Sequence, residues 1–390
     1  MSHPTLLEAP PKPMQQLGRY CLLEVLGQGG MGTVHLAVRD APSEPPALYA
    51  LKLLRPELAH DARHLDMFMR EAELASRLSH PNVVRTLEAG EADGQVFLAM
   101  EFLDGQPLHL LLGRAGEDPP LPLHVRVQIV CDALRGLDYV HQLRADGRPL
   151  PLLHRDVSPN NLFVTYDGQV KLLDFGVAKL ALQGDTGSGD FKGKLGYAAP
   201  ERFVGAQIDA RSDVFAAGVT LWEAIALRRF ASGPPTRAFV DARLHGRELP
   251  ITCAVPDLEP ELAAICNRAL QVDPNQRFPS AEALRRALHG YLAKRHATVE
   301  RAALGGWMRL KFSAERNALH QRINAQLRSA RAPSAPHEAP RAPTHSFIRK
   351  RPSSAPHEAL APARRGRRHV AWFMLVLLLA LGAAVVHAAT

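Results

Sequence analysis

The segment Leu152–Gly176 constrains the fold of this chain more than any other part of its 390 residues. It contains a His-Arg-Asp triplet that ends at Asp156, then Asn161, and finally an Asp-Phe-Gly triplet that begins at Asp174. The dipeptide Asp167-Gly168 lies between two apolar runs, a pattern typical of two short strands joined by a tight turn. Such a hairpin would bring the side chains of Asp156, Asn161 and Asp174 together.

Two carboxylates and one amide in the same place suit a particular chemistry. Mg²⁺ prefers oxygen ligands and takes few of them from the protein, and phosphoryl transfer needs a carboxylate beside the attacking hydroxyl. These three side chains could supply both. A surface hairpin with solvated acids is the alternative interpretation.

A glycine-rich turn near the start of the chain offers a second site for phosphates. The strand-like run Tyr20–Leu26 leads into Gly27–Gly32, and a β-branched run follows. In a dinucleotide-binding fold the last glycine opens a helix, so the following strand favours a flap laid over nucleotide phosphates. Without side chains in the way, backbone N–H groups can approach the phosphate oxygens. The alternative is an ordinary glycine-rich turn.

The predicted strand Leu48–Leu54 carries a single lysine, Lys52, among apolar residues. A lysine at this place could bind the α- and β-phosphates if a carboxylate held it in position. The predicted helix Arg63–Leu78 offers Glu71 for this role, with Glu73 as the second choice. The alternative is an edge lysine whose ammonium group reaches solvent.

In this order and spacing, the motifs resemble those of a eukaryotic-type (Hanks-type) serine/threonine protein kinase of the bacterial branch. The resemblance covers Tyr20–Leu292 and includes an Ala-Pro-Glu triplet ending at Glu201, together with Arg277, which resembles the arginine that pairs with that glutamate. It implies an α+β, two-lobed protein-kinase fold. The small β-rich N-lobe would occupy 20–101 and the larger helical C-lobe 106–292.

The resemblance also implies ATP and Mg²⁺ as cofactors and transfer of the γ-phosphoryl group to Ser or Thr hydroxyls of cytoplasmic proteins, with autophosphorylation. Asp156 would accept the hydroxyl proton, and Asn161 and Asp174 would hold the metal. Lys52, paired with Glu71, would position the phosphates. The implied nucleotide-binding residues are Leu26, Gly27, Gln28, Gly29, Gly30, Met31, Gly32, Val34, Ala50, Lys52, Met100, Glu101, Leu103 and Phe163.

Two positions depart from the serine/threonine pattern. Ser158 stands where a lysine usually follows the catalytic aspartate, and Lys194 stands where a threonine usually precedes the Ala-Pro-Glu triplet. These departures leave the choice between Ser/Thr and Tyr hydroxyls open. We predict that Lys194 supplies the catalytic cation that Ser158 cannot, the alternative being that it points to solvent or binds an acidic substrate. Thr186 and Ser188 are the candidate sites of activating phosphorylation.

Basic residues are concentrated in the C-terminal part of the chain. Residues 291–369 hold 17 of the 47 Lys and Arg but only 4 of the 39 Asp and Glu, so the kinase-like region is slightly acidic. This distribution favours membrane headgroups as the partner of the tail and gives no reason to expect nucleic-acid binding. We predict a disordered leader over 1–19, a basic helical extension over 293–330 and a disordered Pro/Ala/Arg-rich linker over 331–369.

The run Val370–Ala389 is apolar except for His387. About 20 apolar residues in a helix can cross a bilayer core, and the four arginines just before the run favour a cytoplasmic flank. The sequence therefore predicts a C-terminal, single-pass transmembrane anchor in the inner membrane with the kinase domain in the cytoplasm. A buried terminal helix is the alternative.

The predicted partners are protein substrates, the membrane and a homodimer of kinase domains for autophosphorylation in trans. A pseudokinase that serves as a membrane-anchored signalling scaffold is the alternative function. The catalytic set argues against it, because Lys52, Glu71, Asp156, Asn161 and Asp174 are all present.

Overall fold

The computed structural model of the chain describes residues 15–29, 32–39, 47–59, 61–145, 148–149, 152–173, 195–231, 236–297, 299–331 and 345–349. Its strands are β1 Gln15–Leu17, β2 Tyr20–Gln28, β3 Gly32–Arg39, β4 Leu48–Leu54, β5 Thr86–Ala92, β6 Gln95–Glu101, β7 Gly105–Pro107, β8 Arg144–Ala145, β9 Arg148–Pro149, β10 Leu162–Thr165, β11 Val170–Leu172 and β12 His345–Arg349. Its α-helices are α1 Pro56–Ala59, α2 Ala62–Ser76, α3 Leu108–Arg114, α4 Leu123–His141, α5 Ala210–Ala226, α6 Arg237–His245, α7 Ile251–Ala254, α8 Pro260–Ala269, α9 Ala281–Lys294, α10 Arg301–Lys311 and α11 Ser313–Arg331.

The N-terminal lobe is built on an antiparallel sheet. Among the described residues the strand order is β1-β2-β3-β4-β6-β5-β12. Side chains alternate between the faces of a strand, and β4 follows this rule, since Leu51 and Leu53 join one apolar cluster while Leu54 joins another. Helix α2 covers the second cluster with Phe68 and Ala72. The amphipathic helix and the alternating strand therefore bury each other's apolar faces.

The C-terminal lobe is helical and surrounds α5. This helix is buried on nearly every side, as its apolar sequence predicts, and the side chain of Asp209 caps its first turn by accepting a hydrogen bond from the backbone N–H of Arg211. In the same way, Ser280 caps α9 through the backbone N–H of Ala283. Trp222 lies within the apolar core between the helices. The expected two-lobed α+β architecture is confirmed.

The predicted hairpin at Asp167-Gly168 is also confirmed. Strands β10 and β11 pair antiparallel, and β10 pairs with β7 on its other side. Gly168 has a φ of 83°, a left-handed conformation that other residues adopt at a cost. The hairpin therefore turns as the sequence indicates, and it carries the segments of the site at both of its ends.

The basic extension forms two helices, α10 and α11, and packs on the C-terminal lobe. Trp307 and Phe312 join the core of that lobe, and the indole N–H of Trp307 donates to the carbonyl of Pro119 at 3.0 Å. Gly305 lies so close to the β10–β11 turn that an added Cβ would be 2.8 Å from the carbonyl carbon of Asp167. Only a glycine permits this approach, so the extension continues the packed lobe.

The structure differs from the sequence expectation in the leader and the linker. Within the predicted leader 1–19, β1 pairs with β2, and Leu17 is 1% exposed. Within the predicted linker 331–369, β12 pairs with β5 at the edge of the sheet. An edge strand offers unpaired backbone groups to any extended segment, and backbone pairing does not require an apolar side-chain pattern. A prediction based on side chains therefore misses both short strands.

None of the helices in the described part of the chain has both the length and the apolarity needed to cross a membrane. The predicted span Val370–Ala389 lies outside the described residues.

Adjacent glycines in α10 allow a test of the close packing of the extension. An alanine at Gly305 would collide with the backbone of Tyr166 and Asp167, whereas a Cβ at Gly306 would meet nothing within 4 Å. We expect Gly305→Ala to lower the free energy of unfolding by about 1–3 kcal/mol because the helix must shift. Gly306→Ala should raise it by up to about 1 kcal/mol through helix propensity. Chemical denaturation measures both, and equal effects of the two variants would contradict the packing described here.

Candidate active site

A buried carboxylate, Asp213, organises the loop that carries the candidate catalytic residues. Asp213 is 2% exposed, and its oxygens accept hydrogen bonds from the backbone N–H groups of His154 at 2.8 Å and Arg155 at 2.7 Å. The His141 ring nitrogen Nε2 lies 2.8 Å from the same carboxylate. Burial alone would raise the pKa of Asp213, but hydrogen bonding and charge from His141, with the nearby His154, hold it below its ordinary value. The carboxylate is therefore ionised and fixes the loop.

Arg155 has a φ of 63°, in the left-handed region that a non-glycine residue rarely adopts. Such a conformation costs of the order of 1–3 kcal/mol and persists only where the surroundings impose it. The hydrogen bond from its N–H to Asp213 supplies that constraint. The bend turns the chain so that the next residue, Asp156, enters the site.

His154 connects the loop to the strand that precedes Asp174. Its ring is fully buried, with Nδ1 accepting from the N–H of Asp156 at 3.3 Å and Nε2 at 2.9 Å from the carbonyl of Leu173. The N–H of Leu173 in turn donates to the carbonyl of Asn161 at 2.8 Å. Leu173, the residue before Asp174, is thus held against the loop at two points.

The structure brings Asp156 and Asn161 into direct contact. The amide nitrogen Nδ2 of Asn161 donates to the backbone carbonyl of Asp156 at 2.8 Å and to its Oδ2 at 2.5 Å. Both side chains are largely buried, at 7% and 8% exposure. Because its nitrogen is turned towards Asp156, Asn161 keeps its amide oxygen as the hard donor that Mg²⁺ prefers. The residues present therefore fit a magnesium site, to which Asp174 would contribute the carboxylate.

Lys52 lies in the middle of the N-terminal sheet, opposite Val34 on β3 and Leu98 on β6. By strand alternation it shares a face with Ala50 and Leu54, which belong to the apolar cluster beneath α2. Helix α2 also carries the predicted partner, although the side chain of Glu71 lies outside what the structure describes. The second choice, Glu73, is exposed and pairs with Arg77 at 2.8 Å, so it is not available to hold the lysine.

The predicted adenine-binding residues meet near the junction of the lobes. Ala50 is directly opposite Met100, and both contribute with Leu103 and Leu173 to one apolar cluster. Phe163 lies half-buried on β10, paired with Pro107 of β7. An apolar cluster beside the link between the lobes is the kind of surface on which a flat base can pack.

The glycines of the predicted phosphate flap have different surroundings. A Cβ at Gly27 would meet nothing within 4 Å, and one at Gly29 would meet only the carbonyl of Gly32 at 4.0 Å. By contrast, a Cβ at Gly32 would lie 2.1 Å from the carbonyl oxygen of Leu53. Gly27 and Gly29 leave open space, whereas Gly32 allows β3 to pair closely with β4. Leu26 and Gln28 flank Gly27 on the exposed end of β2.

The protein kinase domain model matches residues 20–288, more than half of the chain. The chain belongs to the protein kinase family. Its curated relatives include the tyrosine-protein kinase MasK of Myxococcus xanthus, 37% identical over 313 residues, covering 80% of this chain and 48% of MasK. Another is the serine/threonine-protein kinase PknD of Mycobacterium tuberculosis, 34% identical over 292 residues, covering 73% of this chain and 41% of PknD. The kinase thus spans less than half the length of these relatives.

The fold is similar to that of a solved kinase domain. The crystal structure of the Mycobacterium tuberculosis PknI kinase domain matches 73% of this chain and 100% of its own with a TM-score of 0.54 and 28% sequence identity. Members of this family use ATP and Mg²⁺, which agrees with the donor set and the open glycine turn described above.

Sequence analysis of this kinase missed an ion pair at the link between the lobes. The Nζ of Lys171 lies 2.5 Å from Oε1 of Glu101, which also accepts from the backbone N–H of Arg85 at 2.8 Å. The side chain of Glu101 is therefore occupied by the lobe junction, and its backbone N–H donates to the carbonyl of Arg85 at 3.0 Å. Its own carbonyl is the group that could face an adenine edge. A lysine in the apolar strand before Asp174 was the available signal, because a buried cation needs an anionic partner.

The segment around the Ala-Pro-Glu triplet is held by two buried arginines. The predicted pairing is confirmed, since Arg277 donates to both carboxylate oxygens of Glu201 at 2.8 and 2.7 Å. Arg243, which the sequence did not single out, donates to the carbonyls of Gly196 and Ala198. These arginines fix the chain that follows Lys194 against the C-terminal lobe.

Several predicted residues cannot be placed. Outside the described residues lie Gly30, Met31, Asp174, Thr186, Ser188 and Lys194. Ser158 is described and 4% exposed, and its carbonyl accepts from the N–H of Asn161 at 3.0 Å. Its backbone therefore shapes the catalytic loop.

Replacing the Asp213 carboxylate by an amide tests its role in holding the loop. Asp213→Asn keeps the shape but cannot accept from both N–H groups and His141 at once. We expect a loss of about 1.5–3 kcal/mol of unfolding free energy and a fall in phosphoryl transfer of about tenfold or more. Asp209→Asn is the matched control on the same helix turn, because Asn caps a helix as well as Asp does. Equal rates for the two variants would show that the loop does not depend on Asp213.

Proposed function

We propose that this protein kinase transfers the γ-phosphoryl group of ATP to Ser or Thr hydroxyls of cytoplasmic proteins and of itself. The observation that carries the proposal is the buried contact between Asp156 and Asn161, on a loop fixed by Asp213 and joined to the strand before Asp174. A carboxylate in such a place can take the proton from an attacking hydroxyl. A pseudokinase scaffold would have no need for this arrangement.

In the proposed mechanism each residue has a defined part. Asp156 orients the substrate hydroxyl and accepts its proton, while Asn161 and Asp174 hold the metal. When bound, Mg²⁺ would neutralise the phosphate oxygens and favour departure of ADP. Lys52, positioned by Glu71, orients the α- and β-phosphates. The predicted adenine-binding residues and the glycine turn Gly27–Gly32 complete the nucleotide site.

The carboxylate of Asp156 can be tested without disturbing the nucleotide site. Asp156→Asn removes the proton acceptor but keeps the size of the side chain and its ability to form hydrogen bonds. We expect ATP binding within about twofold of the original chain but a fall in phosphoryl transfer of at least about 100-fold, measured with labelled ATP. Asp257→Asn, an exposed acid, is the control and should leave the rate unchanged. A comparable rate in Asp156→Asn would remove the support for catalysis by this residue.

The choice between Ser/Thr and Tyr hydroxyls as phosphate acceptors is part of the proposal. Several relatives are named serine/threonine-protein kinases, whereas MasK is named a tyrosine-protein kinase. We favour Ser/Thr, and mapping of the phosphorylated amino acids after incubation with ATP decides between Ser/Thr and Tyr hydroxyls.

We also propose that Lys194 replaces the cation missing at Ser158. Rescue of Lys194→Ala by Ser158→Lys would support that exchange, and failure of the rescue would oppose it.

We further propose that Val370–Ala389 anchors the kinase in the inner membrane, with the kinase domain on the cytoplasmic side. The support for the anchor is the length and apolarity of the run and the arginines before it. In this proposal two kinase domains pair for autophosphorylation at Thr186 or Ser188.

Deletion of Val370–Thr390 tests the anchor. The shortened chain should move from the membrane pellet to the soluble fraction and retain its rate of phosphoryl transfer, because every proposed catalytic residue precedes the run in the sequence. Charge reversal of Arg364 and Arg365 serves as a comparison, since it should alter orientation more than membrane association. Sedimentation of the shortened chain with membranes after a high-salt wash would place the anchor elsewhere.

A further inference from the structure

The C-terminal extension touches both lobes. Helices α10 and α11, residues Arg301–Arg331, are here called the strap. Its first part is fixed to the C-terminal lobe through the burial of Trp307 and Phe312 and through Lys311, whose Nζ donates to the carbonyl of Asp118 at 2.6 Å. The guanidinium of Arg114 lies over the Phe312 ring, 4.5 Å from its centre, and pairs with Glu315. One end of the strap is therefore firmly anchored.

The strap next passes the link between the lobes. Arg316 and His320, one turn apart on α11, both lie 3.2 Å from Oδ2 of Asp104. Asp104 follows the predicted adenine-binding Leu103 and accepts through its backbone carbonyl from the N–H of Tyr166 at 2.8 Å. The strap thus contacts the chain at the point about which the lobes would turn.

The last turns of α11 reach the N-terminal lobe. The Nε of Arg322 lies 2.8 Å from Oε2 of Glu24, and the Gln326 amide donates to the carbonyl of Leu23 at 3.0 Å. Between them, Ile323 is only 5% exposed. Leu23 and Glu24 belong to β2, the strand that runs directly into the glycine turn. At 1.5 Å per residue, α11 is roughly 28 Å long, enough to join the two lobes.

We propose that the strap sets the position of the glycine turn over the nucleotide, and that Arg322 and Gln326 are positioning residues for ATP binding. A strand held by one rigid helix to the opposite lobe has fewer orientations to lose when the nucleotide binds. The inference rests on nucleotide binding at the glycine turn, which is part of the proposed function. It adds a regulatory element outside the matched kinase domain, which ends at residue 288.

The contacts between the last turns of α11 and β2 suit a role in positioning the glycine turn better than a role in the stability of the whole fold. The side chains of Arg322 and Glu24 are 56% and 17% exposed, and exposed ion pairs contribute little to the free energy of unfolding. The same pair can still bias the orientation of β2, because both partners sit on rigid elements that belong to different lobes. Nucleotide affinity should therefore respond where the melting temperature does not.

A charge exchange tests the strap in the purified full-length chain. Arg322→Glu places two carboxylates opposite each other and should weaken MgATP binding by about threefold or more in an equilibrium titration. Glu24→Arg should weaken it similarly, and the double variant should return to within about 1.5-fold of the original chain. Arg328→Glu is the control on the same helix, because Arg328 is exposed and forms no ion pair with any described residue. It should leave the affinity unchanged.

Hydrogen exchange of the β2 amides separates this inference from the proposed function, since it needs neither ATP binding nor phosphoryl transfer. Exchange across Leu22–Gln28 should be faster in Arg322→Glu and restored in the double variant. Unchanged exchange and affinity in Arg322→Glu, or loss of both without rescue by Glu24→Arg, would falsify the positioning role. A chain that shows the exchange pattern but transfers no phosphate would refute the proposed function and leave the strap intact.

Discussion

The ion-dipole contact between the buried carboxylate of Asp213 and the backbone of His154 and Arg155 is the constraint on which the candidate site depends. It keeps Arg155 in a left-handed conformation and so aims Asp156 into the site. The buried ring of His154 carries the same constraint onward to Leu173. A single buried charge on α5 therefore fixes two chain segments that lie far apart in sequence. Burying an ionised group is favourable only when its hydrogen bonds are complete, which explains why several donors converge on it.

The two lobes are joined by polar contacts at separate places. Lys171 of the β10–β11 hairpin pairs with Glu101 at the end of β6, and the strap connects Asp104 and Glu24 along the outside of the link. The contacts with the strap are partly exposed, so they can adjust without unfolding either lobe. The apolar packing of α10, in contrast, is part of the C-terminal lobe. The strap therefore has one end fixed in the C-terminal lobe and one end that can adjust against the N-terminal lobe.

Much of the fold followed from local patterns. The strand Leu48–Leu54 has the bounds predicted for it, and α5 is buried all round as its apolar sequence requires. Asp156 and Asn161 were predicted to lie together beside the hairpin, and their side chains are in contact. The pairing of β1 with β2 and of β12 with β5 did not follow from local patterns. An edge strand accepts an extended segment through its backbone alone. Likewise, the role of Glu101 depends on a lysine far away in sequence.

The sequence by itself determined which chemical groups are present and which of them lie on neighbouring turns, since these depend on spacing and on the period of apolar residues. It also determined the family. Only the tertiary structure decided which carboxylate holds the catalytic loop, that Gly305 rather than Gly306 admits the β10–β11 turn, and that the basic extension reaches β2. Those outcomes depend on distances between segments separated by tens to hundreds of residues. No local pattern encodes such distances, because they arise from how the packed elements fill the space between the lobes.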